Sequence, residues 1–168
     1  MSEPQPEEIR DRIMAELEHN VSLFEQLWQN IRGGNASKLP DPKAFDAFAS
    51  TPTPLWSFSV YDNQEENLPD TFVREDIRRI RSIYRHLRSL ANLRSEFSEA
   101  TELYRKQMQG QVDRTRQGTA GDWSAWKEDS KRFNQEYGQR REDLWNKLRD
   151  AHREIMEAWS TLKEHASP

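Results

Sequence analysis

Apolar residues recur at helical intervals over three long stretches of this chain. Between residues 7 and 32, Ile9, Ile13, Leu17, Phe24, Leu27, Trp28 and Ile31 fall on one face of a 100° wheel. Pro6, Glu7 and Glu8 stand where a helix start favours a fixed φ and negative charge, and Gly33-Gly34 supplies a stop. A first helix over 7–32 follows, with an apolar face that another element must cover.

A second helix is predicted over 70–116, opened by Asp70 after Pro69 and unbroken by proline. Ile77, Ile80, Tyr84, Leu87, Leu90, Phe97, Ala100, Tyr104 and Met108 step along it mostly by threes and fours. A third is predicted over 122–165, with Asp122 as its cap and a seam of Trp126, Phe133, Tyr137, Leu144, Leu148, Ala151, Ile155 and Leu162. The turn "RQGTAGD" between them is short, so the two helices should lie antiparallel. Arg94, Arg140 and Arg141 interrupt the seams, which argues for irregular packing rather than an ideal coiled coil.

Only the C-terminal half of the third helix carries a second apolar row, formed by Trp145, His152, Met156 and Trp159. A helix with two rows has two neighbours. With the turn centred near 119–120, residues 142–162 face 78–98, and the first helix should dock there. The expected object is all-α: a three-helix head from 7–32, 77–97 and 142–162, and a long antiparallel hairpin stalk over 98–141. One helical domain of 168 residues accommodates it.

Residues 35–69 hold five of the eight prolines and read as an aromatic-rich connector with a short helix at 42–49. Its aromatic residues suggest a lid packed across the bundle; the sharper reading is a binding groove. Trp56, Phe58 and Tyr61 here, and Trp123 and Trp126 near the hairpin turn, are candidate contacts for a protein partner.

Composition supports thin helices over a thick core: hydrophobic residues are 34% and charged residues 32% of the chain. Six Trp, seven Phe and four Tyr argue for a folded chain. The absence of cysteine removes disulfides, thiolate metal sites and cysteine nucleophiles. No run approaches the roughly 20 apolar residues that span a bilayer, and the acidic start does not suit a signal peptide. A cytoplasmic location is the expectation, with membrane contact disfavoured.

Searching for chemistry returns little. No His-Glu-x-x-His, phosphate loop or Gly-x-Ser-x-Gly occurs, and the carboxylates of the third helix are interleaved with Lys and Arg at pairing distance. No catalytic, cofactor or metal residue is therefore assigned, and no enzyme activity is expected. Charge is more informative. Residues 1–72 carry 5 basic and 13 acidic side chains, residues 73–118 carry 11 and 6, and residues 119–168 carry 9 and 10. On the second helix Arg74, Arg78, Arg81, Arg85 and Arg88 form one stripe, opposite the apolar seam. The acidic first segment is expected to neutralise it. If it does not, the stripe could contact an acidic partner or the backbone of RNA or DNA, although a pI near 5.7 is far from the usual basic footprint. The sequence thus points first to a non-enzymatic scaffold or adaptor that binds a protein or a second copy of itself. A helical subunit of a nucleoprotein complex is the alternative.

Overall fold

The computed structural model describes residues 5–32, 56–116 and 123–166, and among them every regular element is helical. Helix α1 spans Pro6–Arg32, α2 spans Ser59–Gln64, a 3₁₀ turn spans Glu65–Asn67, and α3 spans Leu68–Thr71. Two long helices follow: α4, Arg74–Arg116, and α5, Trp123–Ala166. The helix expected at 42–49 and the Asp122 cap lie outside the described residues.

The second long helix begins at Arg74, not at Asp70. Asp70 sits inside the four-residue α3, and Phe72 then adopts an extended backbone with φ −127° and ψ 153°. The Ile77 amide donates to the Val73 carbonyl at 3.0 Å, so the long helix takes its first bond from Val73. Pro69 favours the early turn of a helix. Here that helix is a separate short one.

Helices α4 and α5 are antiparallel in the expected register. His86 meets Glu154 and Asp76 meets His165 near the open end, while Tyr104 donates to Asn134 at 2.8 Å far along the hairpin. Helix α1 docks at the open end. Trp28 stacks on Trp145 at 5.2 Å and on His152 at 4.4 Å, with Phe24 5.8 Å from the same imidazole. The second apolar row of α5 thus receives α1. The pairings of Trp28 with Trp145 and of Asp11 and Met14 with the Trp159 cleft show that α1 runs antiparallel to α5, and so parallel to α4.

One continuous core joins α1, α4, α5 and the segment 56–72. Tyr61, Leu68 and Phe72 are buried in it, with Trp56, Phe58 and Val60 packed at its margin. The described part of the connector therefore acts as a strap in the groove between α1 and α4. The core stops at the head: from residue 98 to 143 no described side chain is fully buried.

Candidate functional site

Three places in the fold concentrate polar or exposed apolar groups: the strap junction, the arginine stripe and the stalk.

At the junction, Glu16 of α1 is only 6% exposed and receives four hydrogen bonds. Its Oε2 accepts from Ser57 Oγ at 2.8 Å and from the Val60 amide at 2.9 Å. Its Oε1 accepts from the Tyr61 amide at 3.0 Å and from the Tyr84 hydroxyl at 2.7 Å. Val60 and Tyr61 are the second and third residues of α2, whose early amides have no partner within the helix. Phe58, preceding α2, provides no side-chain cap, so a carboxylate from another helix serves instead. One turn on, Asn20 grips the Ser57 backbone from both sides, donating to its carbonyl at 2.6 Å and accepting from its amide at 2.8 Å. Tyr61 and Tyr84 stack at 4.0 Å beneath this network. Burial, and then the bond to Glu16, hold the Tyr84 phenol well above its ordinary range; burial, and then Glu65, raise Tyr61.

The arginine stripe divides. Arg81 lies 3.6 Å from Glu65, and Arg88 pairs with Asp62 while its guanidinium covers the rings of Phe58 at 5.0 Å and Tyr61 at 5.8 Å. Both acids belong to the strap, so the acidic first segment answers this edge of the stripe. Arg74, Arg78 and Arg85 turn outward, exposed, with no ion-pair or hydrogen-bond partner among the described residues. The opposite edge of α4 belongs to α5, marked by the His86 and Asp76 contacts.

Of the candidate partner aromatics, Tyr61 is a core residue at 5% exposure, and Trp56 and Phe58 are half-buried against the core. Strap packing has consumed most of the surface they were expected to present. Trp123 and Trp126 fall in the first turn of α5, and their side chains lie outside those described.

Sequence reasoning placed His152 in the second apolar row of α5 but missed the carboxylate partners of the histidines. His152 Nε2–H donates to Glu25 at 2.6 Å while its ring is stacked on Trp28, tying α5 to α1. His165 Nδ1–H donates to Asp76 at 2.8 Å, and Asp76 also accepts from Arg79 at 2.9 Å. His86 Nε2 lies 2.6 Å from Glu154 without the alignment of a hydrogen bond. Each pair links two helices, and the pairs stand apart. No group of three or more His, Asp or Glu placed to hold a metal ion occurs among the described residues. No described helix is long and apolar enough to cross a membrane.

From the buried Phe97 at the edge of the head, the stalk continues as a two-helix ladder of partly buried rings. Phe97, Tyr137, Tyr104 and Phe133 follow one another at centroid separations of 5.7, 5.3 and 4.6 Å. Beside them Leu103 is 55% and Val112 is 42% exposed. A shallow cleft here is lined by Thr101, Tyr104, Met108, Val112, Tyr137 and Arg141. No protein-family model, curated protein or solved structure matches the chain. The reading of function rests on this geometry.

Proposed function

We propose that the chain is a non-enzymatic helical scaffold that acts by contact with another protein or with a second copy of itself, through its stalk. The observation carrying this reading is the contrast between head and stalk. The head closes a continuous core, whereas the stalk extends for roughly 28 Å along residues 98–116 and 123–141 and leaves its apolar seam half open. Among the described residues no third element covers that seam, and open apolar strips of this kind are what helical partners lie against.

The test is affinity capture from the native host, with and without nuclease, using wild type and a L103E/V112E variant. Both side chains are exposed, so the fold tolerates the change. At high salt, a protein or second copy held by the stalk should be recovered in both nuclease arms and fall about tenfold with the variant, as expected when charge enters an apolar contact. A strict monomer that recovers no protein would overturn the proposal.

The nucleoprotein reading keeps one specific observation, the exposure of Arg74, Arg78 and Arg85 without acidic partners among the described residues. It predicts recovery that disappears with nuclease and a salt slope that falls by about one for each of these arginines removed.

A further inference from the structure

The outward arginines have a counterpart on the same molecule. On α1, Glu7, Asp11 and Glu18 are exposed and likewise have no ion-pair or hydrogen-bond partner among the described residues. Their spacing is four and then seven residues, and Arg74, Arg78 and Arg85 repeat it along α4. Each trio occupies about 40° of a helix face at 100° per residue.

Height and direction match as well. Helices α1 and α4 run parallel, and the Glu16–Tyr84 hydrogen bond puts those two residues at one level. Glu7, Asp11 and Glu18 therefore lie within about one residue's rise of Arg74, Arg78 and Arg85. The trios nevertheless cannot meet within one molecule. The acidic one borders the cleft toward Trp159 and Lys163 of α5, whereas the basic one lies beyond the strap on the outer face of α4.

We infer that the acidic strip of α1 docks on the arginine strip of α4 in a second copy, with the heads side by side and parallel. Glu7 meets Arg74, Asp11 meets Arg78, and Glu18 meets Arg85. An antiparallel approach would oppose a four-then-seven spacing with a seven-then-four one and lose the match. Two different patches meet, so the contact is heterologous and repeats into a ring or a filament rather than closing as a two-fold dimer. Exposed ion pairs set register and orientation more than affinity, so the association is weak and sensitive to salt. The inference rests on the scaffold reading and names one partner for it, the chain itself, at a surface separate from the stalk.

Charge exchange between two variants tests it. One carries R74E/R78E/R85E and the other E7R/D11R/E18R; all six side chains are exposed and without an ion-pair or hydrogen-bond partner among the described residues, so thermal unfolding should confirm intact heads. Sedimentation at about 50 mM and about 500 mM salt reads the assembly. Wild type should show larger species at low salt that dissolve at high salt. Each variant alone should lose them, and an equimolar mixture should regain them, because each then offers the strip that the other needs. Assembly by either variant alone, or a mixture that stays dispersed, would overturn the inference. Loss of polyanion retention by the first variant without any self-association in wild type would also overturn it and assign the strip to phosphates. The L103E/V112E variant separates the two proposals, since it should lose the stalk partner while keeping the salt-sensitive species.

Discussion

Tyr84 shows how a single side chain ties three elements together. It sits in α4, hydrogen-bonds Glu16 of α1 and stacks on Tyr61 of the strap. With its phenol held above the ordinary range by burial and by the Glu16 carboxylate, it keeps its proton in the folded state when an unfolded tyrosine begins to lose it. Below about pH 10 both states hold the proton and this group contributes no pH dependence. Above that, the unfolded chain binds fewer protons than the folded one, so stability falls as pH rises, by up to about 1.4 kcal/mol per unit for this residue. Urea titrations from about pH 9 to about pH 11 should therefore show a steeper loss for wild type than for Tyr84→Phe. At neutral pH the variant should instead be the weaker by about 1–3 kcal/mol, because Glu16 loses one of its four donors. Parallel pH profiles for the two proteins would mean that Tyr84 ionises as freely folded as unfolded.

At the scale of elements the strap is the informative case, because its helices are too short to stand alone. An isolated six-residue helix is unstable in water, and α2 exists because Glu16 and Asn20 satisfy its entry and because Tyr61 is buried. Glu16→Ala leaves the Val60 and Tyr61 amides and the Ser57 and Tyr84 hydroxyls without their acceptor, at a cost of about 3 kcal/mol or more. Hydrogen exchange should localise the loss to residues 57–72 first; uniform loss over the whole head would show that the strap does not open separately. This is also where the sequence was least legible. The three long helices, their register and the docking of Trp28 on the α5 row could be read from spacing, because repeated apolar positions report a buried face directly. The capping of α2 could not, since its acceptor lies 44 residues away on a different helix and Glu16 resembles any solvent-facing acid on α1. The same limit hid the histidine links and the division of the arginine stripe, which depends on where Asp62 and Glu65 come to rest. Arg94 was legible as a break in the seam, but not as a residue buried to 7% exposure with its guanidinium pKa lowered by that burial. Periodicity specifies faces; long-range polar pairs follow only once the faces are assembled.

Among the described residues a head of three covered helices continues into a stalk of two uncovered ones, and stability should be distributed accordingly. Helices α4 and α5 pass through both regions without interruption, so the backbone hydrogen bonds are alike and the difference lies in what shields them. Around Leu87 and Leu148, side chains are fully buried and an amide can exchange only when the head opens. Around Leu103 and Gly138 the helices are exposed, and opening one turn sacrifices only half-buried contacts. Native-state hydrogen exchange along a single helix should therefore fall from protection near the global unfolding free energy at 80–90 to much weaker protection at 100–112, with the matching decline in α5 toward its N-terminal half. Trp28→Ala provides the discriminating variant. It removes the ring stacked between Trp145 and His152, at a cost to the head of about 3–5 kcal/mol, and touches no residue of the stalk. If head and stalk open separately, the variant should lower protection at 80–90 and leave that at 100–112 unchanged. Equal losses in both windows would show instead that the two long helices melt as one cooperative unit, and that the half-open seam contributes more to the fold than its exposure suggests.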